Sequence, residues 1–372
     1  MHKMKNNQNI YEKPIIYIVI MILFLGSVML YNASSTLAIN KFNDYSFYIN
    51  KHLIRISVGA IAFMFIYFFI NFTFIKKNAH LILFSSWACM IAAYYLNQDN
   101  STSRWLIING RNLFTTSDFA KLALIIFTAK FIENNKSKIN DLKILSNKYI
   151  PYFLITLLLI FFQPDLSTSF SITLIIVSLL IISGLKLKYL LVPFIFTLLG
   201  VLIKIYNTPF QKQRFINWIS GNTNIQTENS INALGNGGLL GVGFGNSLIK
   251  EGFLPEVHTD FILPIIGEEF GFIGILILFI LFLSFYFYGL NICKSSPDIF
   301  SSMLSLGIIL NILYYFLINA SYVVGLFPTT GLPIPFFSYG GSHTLFNMIS
   351  IAILMNISNY TNIYKYKYIN YE

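Results

Sequence analysis

Long uninterrupted runs of apolar residues recur along this chain, and they leave it few ways to fold. A run of about 18 or more apolar residues matches the hydrocarbon thickness of a bilayer when wound as a helix. Backbone in lipid must satisfy its own hydrogen bonds, so runs of this length are read as spanning helices. Ten spans are predicted, over about 15–31, 53–70, 81–96, 117–134, 149–163, 167–184, 187–206, 261–289, 299–320 and 342–359. The first follows Lys3, Lys5 and Lys13 as a signal peptide would, but its apolar run is longer than a signal core and many spans follow it; it reads as an uncleaved anchor.

Composition agrees. The 372 residues are 55% hydrophobic and only 11% charged, where a soluble chain carries roughly a quarter charged residues. The net charge of +10 is one that nucleic acid could exploit, but the lysines explain it as topology. With the N-terminus inside, cytoplasmic segments hold fourteen Lys and no Arg, among them Lys76, Lys77, Lys136, Lys138, Lys186 and Lys294, against seven basic residues in the outer loops. The positive-inside rule then sets both termini in the cytoplasm. The predicted fold is all-α: one polytopic membrane domain over 1–372, with a large extracytoplasmic loop, about 207–260, between spans seven and eight. A loop of that length is functional or disordered; with Trp218 and the semi-apolar stretch ALGNGGLLGVGFG at 233–245 it reads as ordered against the membrane surface. Cys89 and Cys293 fall in different parts of this topology and form no disulfide framework.

The chain has four arginines, Arg55, Arg104, Arg111 and Arg214, and all fall at or near the outer face on this topology. Arginine's planar fork grips phosphate oxygens in pairs, whereas lysine is a point charge. Either phosphate is bound outside or four residues fell there by chance.

Five segments could carry chemistry. LPEVHTDFILPIIGEEFGFIG, 254–274, gathers Glu256, His258, Asp260, Glu268 and Glu269. Asp260 stands at the start of span eight, where desolvation would suit a general base and where an N-cap is equally expected; both can hold. Glu268 and Glu269 read as structural, one paired with a cation of another span, and Gly267 and Gly271 as close helix packing. In SRW with TTSDFAKLAL, Asp118 and Lys121 share a helical face, as an internal pair or with Lys121 a phosphate ligand beside Arg104. QPDLSTS, 163–169, is a tight turn in which Asp165 caps the next helix or binds a cation or sugar hydroxyl. The Gly-rich 235–246 lacks the strand and βαβ unit of a dinucleotide fingerprint and reads as backbone near a head group or a re-entrant turn. GLFPTTGLPIPFFSYGGSH, 325–343, is non-helical backbone that must line a cavity; it offers the hydroxyls of Thr329, Thr330, Ser338, Tyr339 and Ser342.

In this order, SRW, the Lys of DFAK, QPDL, the Gly-rich stretch, LPEVHTDFI with GEEFG, and PTTGLPIPFFSYGGS resemble the SEDS family of bacterial peptidoglycan polymerases, the group of FtsW, RodA and SpoVE. The resemblance runs from YNASSTLA at 31–38 to the last span. It implies a ten-span glycosyltransferase of the bacterial cytoplasmic membrane that polymerises lipid II at the outer face, beside a class B penicillin-binding protein, a transpeptidase. The family's catalytic Asp maps to Asp260, and its RW and span-four Lys to Arg104, Trp105 and Lys121. Ser167 departs from the usual Gly of QPDLGT, Asp118 stands where Glu is common, Asn229 stands where Gln is common, and His343 follows SYGGS in place of a small residue. YNASS and NDYSFYINKHL lean towards the division-type, FtsW-like members and GLPIPFFSYGG towards the elongation type; the division type is favoured.

On this reading Asp260 takes the proton of the acceptor 4-hydroxyl in a single inverting displacement. Arg104, Lys121 and Arg214, with Arg111 and Arg55 behind them, neutralise the departing polyprenyl diphosphate. Glu256, His258, Trp105, Asp165, Ser338 and Ser342 complete the expected binding set. No metal site and no certain cofactor is read; a divalent cation near Asp165 or Glu256 is compatible, but no ligand cluster demands one. Membrane lipid is a partner and nucleic acid is not. A lipid II flippase and a non-catalytic recruiter of the transpeptidase are the competing readings.

Overall fold

The computed structural model describes residues 12–96, 103–108, 110–163, 165–220, 225–251 and 258–369. Helices occupy all ten expected spans: α1 Glu12–Phe42, α2 Phe47–Phe69, α4 Ala79–Leu96, α5 Thr116–Asn135, α7 Ile150–Phe162, α8 Leu166–Ile182, α9 Leu191–Asn207, α12 Ile262–Ser295, α13 Ile299–Val323 and α14 Gly341–Ile369. Short helices α3 Phe72–Lys77 and α6 Leu142–Lys148 precede α4 and α7, and α10 Pro209–Ile219 and α11 Ile225–Gly237 lie in the long loop. By length and composition seven helical stretches suffice to cross a membrane. The other three are α5, which carries Asp118, Lys121, Lys130 and Glu133; α8, with 17 residues; and the Asn- and Ser-bearing α14.

The apolar residues sort by position. In α13, 72% of the spanning window is buried, against 11% in α2. Thus α13 forms the centre of the bundle, with α5, α8 and α12 against it. Gly307 lets α13 approach α5, since a Cβ there would come within 2.4 Å of the Ile125 side chain; helix association in lipid relies on such small residues. Helix α2 packs on α14 and α1 and turns Leu53, Ile61, Phe65 and Phe68 outward, as a lipid-facing helix does.

Two features depart from the expected fold. Residues read as loop form a hairpin, β1 Trp105–Ile108 with β2 Arg111–Thr115, antiparallel and irregular between Leu106 and Ile107. Its sequence signal was Asn109-Gly110 between LII and RNLF, the favoured dipeptide of a tight hairpin. Helix α12, expected as one span, breaks at Gly271, whose φ of 64° and ψ of −160° suit a residue without Cβ.

The Gly-rich segment fills that break. Val242 and Gly243 N–H donate to the Glu268 and Glu269 carbonyls at 2.9 and 3.0 Å, and Phe272 and Ile273 N–H donate to Gly238 and Leu239 at 2.9 and 3.3 Å. Backbone groups freed by the interruption are thus paired, as membrane depth demands. A Cβ at Gly237 would fall 1.9 Å from the Gly267 carbonyl oxygen and one at Gly241 2.2 Å from that of Glu269. The glycines therefore serve close backbone approach to α12, a packing that neither the head-group nor the re-entrant-turn reading of this segment had specified.

Candidate active site

Five segments meet at one end of the bundle. Ser342 Oγ accepts from Thr115 N–H at 2.8 Å, Ser167 Oγ donates to the Thr330 carbonyl at 2.5 Å, Arg214 Nη1 donates to the Thr329 carbonyl at 3.4 Å, and Tyr339 N–H donates to the His258 carbonyl at 3.0 Å. The segments of SRW–DFAK, QPDL, α10, HTD and PTTG–SYGGS are therefore one assembly. They converge on residues 325–342, the loop and the first turn of α14.

Asp260 ends the turn before α12. Thr259 Oγ1 donates to its Oδ1 at 2.6 Å, and its Oδ2 would lie 3.2 Å from a Cβ on Gly331. The carboxylate thus sits against the loop backbone, half-buried, where Gly331 with φ of +69° leaves it room. It does not cap the helix: the N-cap is Phe261, with no side-chain cap bond. Arg214 of α10 feels the Asp260 charge; burial pulls its guanidinium below the ordinary arginine value while Asp260 and then Tyr322 pull it back up. Arginine stays protonated through any such shift.

His258 and Arg55 flank this point through aromatic rings. The His258 ring lies 4.5 Å from Tyr48 and 5.5 Å from Tyr339, and the Arg55 guanidinium lies 4.3 Å from the Tyr339 ring centre. Burial raises the Tyr339 phenol and Arg55 partly offsets it. Thr329 Oγ1 and Thr330 Oγ1 are buried with no hydrogen-bond partner among the described residues, so the loop holds hydroxyls in reserve.

Other expected site residues take different settings. Lys121, foreseen as a phosphate ligand beside Arg104, is 3% exposed. It pairs with Asp118 at 3.1 Å and lies 3.8 Å from the Tyr315 ring centre, so the internal-pair alternative describes its position; the Arg104 side chain is exposed. Trp105 is half-buried in β1, which lies on α4. Asp165 caps α8 through Thr168 N–H at 3.2 Å and accepts from Ser117 Oγ at 2.8 Å, which uses both oxygens. Gln163 accepts from Thr116 Oγ1 at 3.0 Å and donates to the Met90 carbonyl at 3.0 Å. Ser338 Oγ accepts from Ile334 N–H at 3.0 Å, so it and Ser342 brace the loop. Arg111 begins β2; its side chain, like all of Glu256, lies outside the described residues. His343, given no role, stacks on Tyr315 at 4.8 Å. Among the described residues, no three His, Cys, Asp or Glu side chains gather as a metal site.

Glu268 and Glu269 are both 1% exposed. Glu269 pairs with Lys250 at 3.3 Å and accepts from Asn32 Nδ2 at 2.5 Å; Lys250 also donates to Asn32 Oδ1 at 3.0 Å, and Ser247 Oγ donates to Glu268. The expected cation of another span is thus a loop lysine, because the Gly-rich segment folds back onto α12. Cys89 and Cys293 are free thiols.

Reasoning from sequence also missed Asn319 and Tyr322, both wholly buried on α13. Asn319 Nδ2 lies 2.9 Å from the Asp260 main-chain carbonyl, 2.7 Å from the Leu332 carbonyl and 2.6 Å from Tyr322 Oη, with two hydrogens to share among them; Tyr322 Oη donates to the Asp260 carbonyl at 2.7 Å. The available signal was an amide side chain inside an apolar span, which is costly unless used.

Comparison with known proteins bears on the fold and the family. A model of the FtsW/RodA/SpoVE cell cycle proteins matches residues 13–363. A probable peptidoglycan glycosyltransferase FtsW of Trichlorobacter lovleyi is 31% identical, covering 94% of this chain and 93% of its own length. Stage V sporulation protein E of Bacillus subtilis is 30% identical over 93% of this chain and 96% of its own. Among solved structures, a chain of a peptidoglycan synthase complex that coordinates polymerisation and crosslinking superposes with a TM-score of 0.75 at 19% identity, covering 93% of this chain and 97% of that one. The rod shape determining protein RodA of Thermus thermophilus gives 0.69 at 19% identity, over 93% and 95%. The chain belongs to the FtsW/RodA/SpoVE family of cell cycle proteins.

Proposed function

We propose that this protein polymerises lipid II into glycan strands at the outer face of the bacterial cytoplasmic membrane, with Asp260 as the general base. It is a peptidoglycan glycosyltransferase of cell-wall synthesis, as its curated relatives are named, and its relatives favour the division type. The observation that carries the role of Asp260 is its setting: a half-buried carboxylate held against Gly331, within the field of Arg214, where the motif segments meet. With both termini in the cytoplasm, as the lysines favour, that junction faces outward.

The acceptor's 4-hydroxyl gives its proton to Asp260 as its oxygen forms the new bond to the donor's anomeric carbon. The bond from that carbon to the diphosphate breaks, and the diphosphate leaves as a stable anion. A placed base contributes about 10²–10⁴-fold. Fixed cations stabilise the leaving charge; Arg214, Arg104 and Arg55 suit this task, whereas Lys121 is committed inward to Asp118. A divalent cation remains a proposal for the leaving diphosphate. The transpeptidase partner is proposed from the solved synthase complex that this fold resembles.

One observation favours the flippase reading. A broken helix such as α12 can build a transport site. Here the break at Gly271 is bridged by the chain's own residues 238–243, which pair the Glu268 and Glu269 carbonyls and the Phe272 and Ile273 amides and so occupy the groups that a cargo would use. The test is to reconstitute the protein with its transpeptidase in vesicles that carry lipid II in the leaflet facing the 325–340 loop. Glycan strands are expected; translocation of lipid II without strand synthesis overturns the proposal.

A further inference from the structure

We propose that Asn319 and Tyr322 are positioning residues that fix the Asp260 segment onto the 329–332 loop, an inference that rests on Asp260 being the base. The Asp260 carbonyl cannot join the helix that follows in the usual way, because its i+4 partner is Pro264, which has no N–H. A carbonyl left over at a helix start needs another donor. Asn319 and Tyr322 supply two, at 2.9 and 2.7 Å.

The same two side chains also hold the loop. Asn319 Nδ2 and Tyr322 Oη reach the Leu332 carbonyl at 2.7 and 3.1 Å. They stand three residues apart on α13, on one face, with Asn319 Nδ2 2.6 Å from Tyr322 Oη, and the two amide hydrogens and one phenol hydrogen are shared among these contacts. The Phe261 ring meets Tyr322 edge-on at 5.6 Å. Two chain segments that are otherwise distant in sequence are thereby tied to one helix. The tie sets where the Asp260 carboxylate lies against Gly331, two residues along the loop from Thr329, whose carbonyl receives Arg214. Neither residue reaches the reacting atoms through its own chemistry; both act through the backbone.

Tyr322→Phe keeps the ring and removes only the hydroxyl; Asn319→Ala removes the amide's contacts to both segments and to Tyr322. Each is purified with the partner transpeptidase, assayed for strand synthesis over a range of lipid II concentrations, and melted in detergent. Misplacement of a reacting group by about 1 Å costs on the order of 100-fold. Tyr322→Phe should lower kcat about 10-fold and Asn319→Ala about 100-fold on that scale, with KM within about twofold, and Tyr322→Phe should keep the wild-type melting temperature. Unchanged kcat in Tyr322→Phe overturns the inference, as does a fall in kcat matched by a fall in melting temperature or a change confined to KM. Asp260→Asn, run alongside, separates the two ideas. An inactive Asp260→Asn with a normal Tyr322→Phe sinks the positioning role alone; an active Asp260→Asn sinks the base itself.

Discussion

Asp260 and the Glu268–Glu269 pair are neighbours along the chain, yet their carboxylates meet different surroundings. Both glutamates are sealed at 1% exposure, and their oxygens are taken by Lys250, Asn32, Ser247 and the Ile249 amide. Asp260 is half-buried; its carboxylate meets Thr259 and Gly331, and its main-chain carbonyl is tied by Asn319 and Tyr322. Acids at a membrane boundary are functional by default, but these three divide. A carboxylate clamped by fixed donors and a cation is a fastener, whereas one whose backbone is clamped and whose oxygens face a polar loop is placed for a proton.

That contrast can be broken by removing partners on each side. Lys250→Met leaves Glu269 buried without its cation, which should cost about 3–5 kcal/mol, read as a lowered melting temperature in detergent. A wild-type melt would mean that the latch holds nothing. Gly237→Ala adds a methyl 1.9 Å from the Gly267 carbonyl oxygen; overpacking of this kind costs about 1–3 kcal/mol, and hydrogen exchange across 237–243 should rise with it. On the Asp260 side, Arg214→Ala should lower kcat/KM about tenfold, roughly the worth of one charged hydrogen bond, with no change in melting. Equal loss of stability would make Arg214 another fastener.

The smallest effect lies at the far end of the bundle. Lys76 joins Glu133 at 2.6 Å and Asp298 at 3.2 Å with side chains about a fifth exposed, so Lys76→Met should cost no more than about 1 kcal/mol. Burial opposes the charge on Asp298, but the Ser301 amide and hydroxyl and the Lys76 ammonium outweigh it and hold Asp298 below its ordinary value. Its contribution is complete above the ordinary carboxylate range and fades as pH falls through that lowered value. Melting in acid should therefore fall less steeply in Lys76→Met than in wild type.

Much of the fold was legible because hydrophobic run length is a local property: all ten expected spans are helices. The break at Gly271 was not, since GEEFGFIG reads as one more packing motif until the glycines of 237–245 are laid against it. The same fold-back hid the Lys250–Glu269 pair, whose partners lie in different segments. In the site, the residue types of HTD and of PTTGLP could be read directly. Asn319 and Tyr322 could not be assigned, because their role depends on a carbonyl that Pro264 leaves without a helical donor. For Lys121 two readings stood side by side, and the structure shows the one that its spacing from Asp118 predicted, the ion pair.

Asp260 is proposed as the base and Glu269 as a fastener. The direct measurement is strand synthesis from lipid II by purified Asp260→Asn with its partner, beside its melting curve. Synthesis should fall by about 10²–10⁴-fold, with melting unchanged, because Asn keeps the shape and the clamped backbone. Wild-type-like synthesis by Asp260→Asn would contradict the account.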